Sequence, residues 1–257
     1  MCFARLSYDI IPAIRNYPAA GQRANGLGKG EVMGNDYSEL RREVCGYARK
    51  MAAAGFVTGS AGNVSARVVG EEDRYVITPT SIDYEVLMPE NIVVCDGEGE
   101  AVIEVENAPS FELPLHVAIY QARPDVKAVF HTHSIYSTIL SILRLPLPPL
   151  IEEMVPYLGG EIAVADYGQS GSDELAANTV KALGPKAAVF IANHGNVCAA
   201  KSLKKAFAAC HLVERAAMIY VESLKLEKLG LGQVKLLPAE VVESERDMYD
   251  VLRQMPD

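Results

Sequence analysis

The sequence predicts a single α/β or α+β domain built around one mixed or antiparallel sheet. Strand-like and helix-like segments are interleaved over residues 36–240, and several short strands come early in this region. A chain of 257 residues can bury a substantial core, and we find neither an internal repeat nor a low-complexity linker within residues 36–240. We therefore treat residues 36–257 as one domain.

Residues 1–35 are unlike the rest of the chain. They carry scattered Arg, Gly and Pro without sustained periodicity, and they lack the apolar core of a signal peptide. We expect a poorly ordered N-terminal extension, upstream of a natural start at Met33. A strand or arm that packs on a neighbouring subunit is the alternative.

The first half of the domain alternates helices with short strands. A helix is predicted over Ser38 to Ala54, because apolar residues recur there at helical spacing. Strands are predicted over Tyr75 to Thr78 and over Ile92 to Cys95, and an Asp-Gly-Glu-Gly hairpin signal follows the second strand. A helix is predicted over Leu113 to Gln121, with Pro114 tolerated in its first turn.

The second half continues the alternation and ends in a long helix. The predicted elements are a strand over Val126 to Phe130, a buried helix over Ile135 to Leu143, a strand over Glu161 to Ala165, a helix over Ser172 to Leu183, a strand over Ala187 to Ala192, and a helix over Ser202 to about Leu229. Ser202 can cap the long helix, and Gly230 suits its end.

The composition excludes several classes of function. The formal net charge of -9 argues against a general nucleic-acid binder and against adhesion to an acidic membrane surface. No apolar run reaches the roughly 20 residues needed to cross a bilayer. The five cysteines are scattered, odd in number and without a C-x-x-C pair, which is typical of a reducing cytosol. We therefore expect a cytoplasmic protein that acts on a small molecule, without nucleic-acid or membrane partners.

Three of the five histidines follow strand-like segments. His131 and His133 come directly after an apolar run, and residues two apart in an extended chain point to the same side. His194 lies in a turn-like Asn-His-Gly stretch after another apolar run. Three imidazoles are a common ligand set for catalytic zinc and leave one position open for water or substrate. Three unrelated histidines are the alternative, and imidazole also suits other divalent metals.

A candidate base lies nearby in the sequence. Glu112 and His116 are four residues apart at the start of a predicted helix, so they share one face. A glutamate near a metal can be a ligand, a general base, or each in turn. A solvated carboxylate in the first helical turn is the alternative reading of Glu112.

Small and hydroxyl-bearing residues cluster in two loop regions. Gly59 to Asn63 is a small-residue stretch, and Thr80, Ser81 and Ser110 are further loop hydroxyls. Backbone N–H groups and hydroxyls in such loops can cradle a phosphate, although plain turns are the alternative. The pattern of a nucleotide-binding P-loop is absent from the sequence.

Five segments together resemble the class II aldolase/adducin family. The segments occur in the same order as in the family and at similar spacing, and they span about residues 37–230. They are Gly59–Ser65, Ile77–Thr80, Pro109–Glu112 with His116, Ala128–His133 and Asn193–Gly195. Five collinear motifs are highly specific for the family. They are much less specific for the reaction.

The resemblance implies a fold, an assembly and a set of site residues. The fold is a three-layer α/β/α domain with a central, mainly antiparallel sheet, and the assembly is a homotetramer with active sites between subunits. One zinc ion is held by His131, His133 and His194, while Glu112 binds the metal at rest and moves off to act as acid/base. The residues that fall where the family holds the substrate phosphate are Ser60, Gly62, Asn63, Thr80, Ser81 and Ser110.

Two departures from the family pattern affect the expected chemistry. The family usually has two serines before the glutamate, and the second is replaced by Phe111 here. This removes one hydroxyl from the expected phosphate site, and a hydrogen bond to a charged group contributes about 1.5–3 kcal/mol. Glu153 stands where the aldolases have a tyrosine, and it looks like the acid/base of related dehydratases. Tyr249 is a candidate for the second aldolase tyrosine. The alternative for Glu153 is an exposed charge without a catalytic role, and the alternative for Tyr249 is an ordinary packing tyrosine.

The resemblance implies a metal-dependent aldolase. It would cleave a fuculose-1-phosphate-like ketose 1-phosphate reversibly to dihydroxyacetone phosphate and a small aldehyde, through a metal-stabilised enediolate. Glu153 and Phe111 favour the alternative, which is a dehydratase, epimerase or decarboxylase on a related sugar phosphate such as methylthioribulose 1-phosphate. A non-catalytic adducin-like interaction domain is the least favoured alternative, because the metal residues are present. The aldehyde partner stays open.

Overall fold

The computed structural model describes residues 36–71 and 73–255, so the extension predicted for residues 1–35 lies outside the described residues. From Asp36 onward the chain groups into one unit around a seven-stranded sheet. Its strands are β1 (Asn63–Arg67), β2 (Tyr75–Ile77), β3 (Val93–Cys95), β4 (Ala128–Thr132), β5 (Val164–Ala165), β6 (Ala188–Ile191) and β7 (Gly195–Ala200).

The sheet is mixed but almost wholly antiparallel. Its strand order is β3-β2-β1-β4-β7-β6-β5, and β5 and β6 form the parallel pair. The other neighbouring strands pair antiparallel, so β4 lies at the centre with β1 on one side and β7 on the other. The predicted mainly antiparallel sheet is confirmed, and the strand that carries His131 is its middle strand.

Helices cover both faces of this sheet. They are α1 (Ser38–Ala53), α2 (Leu113–Ala122), α3 (Ile135–Leu143), α4 (Met154–Leu158), α5 (Asp173–Leu183), α6 (Leu203–Lys228) and α7 (Ala239–Gln254). Because successive side chains of a strand point to opposite faces, each strand supplies two cores. Phe130 packs with residues of α1 and α6, whereas its neighbour Val129 packs with residues of α2 and α5. The expected three-layer α/β/α arrangement is therefore confirmed.

Several elements differ from the sequence-based expectations, and β5 covers only the last two residues of the strand predicted over Glu161 to Ala165. Strand β4 begins two residues later than predicted and includes His131 itself. The Asn-His-Gly stretch does not stop the chain but turns it into β7, which was not predicted. Helices α4 and α7 were also not predicted. Helix α4 has only five residues, too few to show a helical period, whereas in α7 the residues Val242, Tyr249 and Leu252 do recur at helical spacing and were overlooked.

Helix α3 is held at its N-terminus by a distant carboxylate. The first N–H groups of a helix lack partners within the helix, and the Ser134 side chain makes no capping bond here. Glu214 of α6 instead accepts hydrogen bonds from the backbone N–H groups of Tyr136 (2.8 Å) and Ser137 (2.9 Å). A negative charge is also favourable at this end of the helix dipole. The contact fixes where the chain goes directly after His133.

We expect the substitution Glu214→Gln to destabilise the fold by about 1–2 kcal/mol, because one of the two accepting oxygens becomes an amide donor and the charge is lost. Urea unfolding monitored by circular dichroism measures the change. Glu243→Gln, which alters an exposed glutamate of α7, is the control and should change little. Equal stabilities for the two variants would show that this contact does not hold α3.

Candidate metal centre

His131 and His133 leave the sheet at the end of its central strand. His131 is the fourth residue of β4 and is fully buried, and His133 follows the strand directly. The backbone N–H of His133 donates to the Phe56 carbonyl at 2.9 Å, which keeps the chain extended past the strand end. The two imidazoles therefore point to the same side, as the spacing predicts.

His194 reaches the same point from the tight turn between β6 and β7. Asn193 adopts a left-handed conformation with φ of 57°, which asparagine tolerates better than most residues. Gly195 then passes so close to the Thr132 carbonyl that a Cβ atom there would overlap the oxygen. The turn thus holds His194 directly beside the end of β4.

The three imidazoles converge through their Nε2 atoms. The Nε2 atom of His131 lies 2.9 Å from that of His133 and 3.2 Å from that of His194. One ligand atom from each of the three residues lies within 4.8 Å of the others. Tetrahedral zinc with bonds of about 2.0–2.1 Å would separate its nitrogen ligands by about 3.3 Å. Two of the three separations are close to this value and the third is at most 4.8 Å, so small shifts of the rings would let one divalent metal bind all three.

A backbone carbonyl sets the tautomer of His131. Its Nδ1 lies 3.1 Å from the carbonyl oxygen of Asn196, which can only accept, so Nδ1 carries the hydrogen. In the neutral ring Nε2 then bears a lone pair, and this lone pair faces the other two imidazoles. A cation between the rings would satisfy this arrangement. Such an outer hydrogen bond is the usual way of orienting a metal-binding histidine.

Glu112 completes the centre from the start of α2. Its carboxylate oxygens lie 3.3 Å from His131 Nε2 and 3.6 Å from His194 Nε2. The carboxylate accepts hydrogen bonds from Asn63 Nδ2 (2.8 Å) and from the Ser170 hydroxyl (2.5 Å). Because the side chain is almost fully buried, these contacts define one orientation for a group that can bind a metal or take a proton.

The environment favours an ionised Glu112 carboxylate and neutral His133 and His194 imidazoles. Burial alone would raise the pKa of Glu112, but His131, His194 and the two hydrogen-bond donors outweigh it and lower the pKa to about 2. Burial, reinforced by the neighbouring histidines, lowers the pKa of His133 to about 3 and that of His194 to about 4. Neutral imidazoles and ionised carboxylates are the protonation states that bind metals.

The residues predicted to bind phosphate lie in loops beside this centre. Tyr84 joins two of the loops, because its N–H donates to the Gly59 carbonyl and its hydroxyl donates to the Gly62 carbonyl. Gly62 has φ of +68°, and a Cβ atom there would lie 2.5 Å from the carbonyl oxygen of His131. The loop is therefore pressed against the metal-bearing strand.

The remaining predicted phosphate residues are arranged around the same loops. Asn63 Nδ2 also donates to the Ser110 hydroxyl at 3.1 Å, which places Ser110 beside Glu112. The segments carrying Thr80 and Ser110 are paired through a bridge between Pro79 and Pro109. Ser81 is exposed, as is Ser60, so their side chains are open to a ligand. The binding role of all these residues stays a prediction.

Glu153 and Tyr249 are not brought to this centre within one chain. Both line a separate cavity of about 500 Å³, whose lining includes neither Glu112 nor any of the three histidines. Glu153 is about half exposed and forms an ion pair with Arg215 at 2.5 Å. Tyr249 is buried, and its hydroxyl donates to the Pro185 carbonyl at 2.8 Å. Their catalytic roles stay predictions that require a neighbouring subunit.

Two contributors to the centre were missed by the sequence analysis. Ser170 donates to Glu112 from a loop before α5, and Asn196 orients His131 through its backbone carbonyl. Neither residue belongs to a recognisable motif. A backbone carbonyl gives no sequence signal at all, and Ser170 reaches Glu112 across 58 residues of chain.

Comparison with known proteins decides the family. A family model described as "Class II Aldolase and Adducin N-terminal domain" matches residues 42–221, which contain the three histidines and Glu112. The chain belongs to the class II aldolase and adducin family. The description of this family names both aldolases and adducin, and a shared fold does not by itself fix a function, so the chemistry has to be argued from the metal centre.

Individual members of the class II aldolase and adducin family are similar over most of the chain. A 5-deoxy-D-ribulose 1-phosphate aldolase from Bacillus thuringiensis serovar kurstaki is 32% identical over 204 residues, covering 79% of this chain and 92% of that protein. An L-fuculose phosphate aldolase from Escherichia coli K12 is 35% identical over 189 residues, covering 74% and 86%. A solved L-fuculose 1-phosphate aldolase superposes with a TM-score of 0.75 at 35% identity, covering 83% and 97%.

Among the described helices, none combines the length and the apolar character that crossing a membrane requires. The four cysteines described as free, Cys45, Cys95, Cys198 and Cys210, are all buried.

We expect acid to destabilise the metal-free protein. Burial lowers the pKa of His116 to about 3, against about 6.5 in an unfolded chain, so unfolding takes up protons and stability falls as pH drops from about 6.5 to about 3. Glu112, with its folded pKa also lowered, acts in the same direction below about pH 4.3. Melting temperatures measured with a chelator from pH 8 to pH 4 should therefore decline.

The variant His116→Gln isolates the histidine contribution, because glutamine does not titrate. Its melting temperature should decline less steeply with falling pH than that of the wild type. Parallel curves for the two proteins would contradict the assignment of a buried, neutral His116.

Proposed function

We propose that the protein is a metal-dependent class II aldolase that cleaves a ketose 1-phosphate reversibly to dihydroxyacetone phosphate and a small aldehyde. The observation that carries this proposal is the convergence of three Nε2 atoms on one point beside the Glu112 carboxylate. The relatives named as sugar-phosphate aldolases, at 32–35% identity over most of the chain, support the reaction class. The intact metal residues argue against an adducin-like scaffold.

The proposed ligands are His131, His133 and His194, with Glu112 as the fourth at rest. A bound divalent cation, zinc by preference for three imidazoles, supplies stabilisation of the negative charge that develops on the substrate oxygen. In the aldol-forming direction, Glu112 takes a proton from dihydroxyacetone phosphate. In the cleavage direction, Glu112 returns that proton. A carboxylate held beside the reacting atoms is one of the groups that enzymes use as general acid/base.

Phosphate recognition is proposed for the loops beside the metal centre. The side chains of Thr80, Ser81 and Ser110, together with the backbone of the Ser60–Gly62 turn, offer hydroxyl and N–H donors without a positive charge. Phe111 is 52% exposed next to Ser110, and its ring packs against Gly171. An apolar ring therefore occupies the rim where a second hydroxyl would strengthen phosphate binding.

We also propose a cytoplasmic homotetramer with active sites between subunits. Glu153 lies on the surface of its own chain and is available to a neighbouring centre, where it would act as acid/base on the second half of the substrate. Tyr249 is less available, because its hydroxyl is occupied by Pro185. Analytical ultracentrifugation tests the assembly, and Glu153→Gln tests the carboxylate.

A screen of ketose 1-phosphates tests the reaction. Fuculose, rhamnulose, ribulose, 5-deoxyribulose and methylthioribulose 1-phosphates would each be incubated with the enzyme, while triose phosphate release is measured by a coupled dehydrogenase. We expect release from at least one substrate, loss of activity with a chelator, and recovery with zinc. A diketone product formed without triose phosphate would establish the dehydratase alternative instead.

We expect Glu112→Gln to keep its metal but to lose turnover by about a hundred- to ten-thousand-fold, because the amide cannot accept the proton. Elemental analysis measures the metal, and the coupled assay measures kcat. Glu243→Gln provides the control for the same chemical change at an exposed position. An unchanged kcat in the Glu112 variant would rule out its role as the base.

Restoring a hydroxyl at residue 111 should strengthen phosphate binding. We expect Phe111→Ser to lower KM for the phosphorylated ketose by about 10- to 100-fold, since a hydrogen bond to a charged group contributes about 1.5–3 kcal/mol. Met248→Ser is the matched control, because Met248 is also 52% exposed but lies on α7. A KM that rises in the residue 111 variant would instead assign the aromatic ring to substrate contact.

A further inference from the structure

A line of polar contacts joins strand β1 to helix α2 beneath the metal centre. Asn63 and Ser65 point from one face of β1. Glu112 directly precedes α2, and His116 and Tyr120 follow it at every fourth position within the helix. Two residues of a strand advance about 6.6–6.8 Å, and four residues of a helix advance about 6.0 Å. The two repeats nearly match, so successive side chains of the strand and the helix stay opposite each other.

The hydrogen bonds of this line run without interruption. Asn63 Nδ2 donates to Glu112, and Asn63 Oδ1 lies 2.5 Å from His116 Nε2. His116 Nδ1 lies 2.6 Å from the Ser65 hydroxyl, which lies 2.7 Å from the Tyr120 hydroxyl. All five side chains are buried, and His116, Ser65 and Tyr120 have no exposed surface. We call these four residues behind Glu112, namely Asn63, His116, Ser65 and Tyr120, the polar ladder.

The contacts give the polar ladder one direction of donation. Because the Glu112 carboxylate can only accept, the amide nitrogen of Asn63 faces it, and Asn63 Oδ1 is the acceptor for His116. His116 Nε2 therefore carries the hydrogen. In a neutral ring Nδ1 then accepts from Ser65, whose oxygen in turn accepts from Tyr120. Every buried donor along the line consequently has one acceptor.

The direction of donation matters for Asn63. The two ends of a primary amide have the same shape, and a reversed amide would turn its oxygen toward the Glu112 carboxylate. That orientation would place the amide oxygen 2.8 Å from a carboxylate oxygen of Glu112 in a buried site. Two acceptors cannot bond to each other, so the hydrogen bond to the charged Glu112 would be lost. The Nε2–H group of His116 opposes the reversal, because it needs an acceptor from Asn63.

We propose that His116, held by Ser65 and Tyr120, is a positioning residue that fixes the Asn63 amide and through it the Glu112 carboxylate. His116 is fully buried and its two ring nitrogens contact Asn63 and Ser65, so it would act through Asn63 rather than on the reacting atoms. The proposal rests on the function proposed for Glu112. It assigns the line of buried hydroxyl, imidazole and amide groups to catalysis rather than to fold stability alone.

Two amide substitutions at residue 116 separate positioning from packing. The amide of Gln reaches the place of Nε2 and can still donate to Asn63, whereas the shorter amide of Asn reaches only the place of Nδ1. We expect His116→Asn to lower kcat by about 10- to 100-fold, the usual effect of losing an outer hydrogen-bond partner, and His116→Gln to restore most of it. The coupled triose phosphate assay measures both.

Thr179→Val is the control for burial. Thr179 is fully buried on α5, which packs against α2, and its hydroxyl has no hydrogen-bond partner among the described residues. This variant should keep wild-type kcat. If His116→Asn also keeps wild-type kcat and only its melting temperature falls, the positioning role is overturned while the aldolase function stands. A wild-type protein without lyase activity would overturn both.

A spectroscopic measurement on the wild type needs neither metal nor a folded variant. Long-range ¹H–¹⁵N spectra of histidine-labelled protein report which ring nitrogen carries the hydrogen, and five histidines are few enough to assign. The polar ladder requires the Nε2–H tautomer at His116. Finding the Nδ1–H tautomer would mean that the Asn63 amide has the reversed orientation, and it would overturn the proposal. Finding Nε2–H, together with the loss in His116→Asn, would support it.

Discussion

The hydrogen bond between His131 and the Asn196 carbonyl is the contact on which the metal centre depends. It joins β4 to β7, which are already paired through Thr132 and Asn196, so the orientation of the ring is set by the ladder of the sheet. Rigid strands hold ligands more accurately than mobile loops do. The tautomer fixed there decides which nitrogen faces His133 and His194, and hence whether the three rings can share a cation.

The centre concentrates polar groups where burial makes them costly. Glu112 and His131 are almost fully removed from water, and unpaired groups in such a place cost several kcal/mol. Each group is therefore matched to a specific partner: Glu112 to two donors, His131 to a carbonyl. A bound cation would offset the remaining cost, and an environment arranged in advance stabilises charge without having to reorganise during the reaction.

The sequence predicted the parts of the site that follow from short-range geometry. The i, i+2 spacing of His131 and His133 placed them on one side because a strand has a period of two. Asn196 and Ser170 escaped prediction, since their contacts depend on how distant segments meet. Strand β7 was missed because a tight turn and a chain stop have the same composition. Helix α7 was missed although Val242, Tyr249 and Leu252 recur in it at helical spacing.

Gly62 limits how this active site can diversify. Because any side chain there would collide with the carbonyl of the metal-bearing strand, evolution cannot tune substrate range at that position without moving the strand. The exposed side chains of Ser60 and Phe111 on the rim face no such collision with the strand, whereas Ser81 has φ of 60°, a backbone conformation that few side chains tolerate. New substrates within this architecture would therefore be acquired by exchanging rim side chains over an unchanging inner framework.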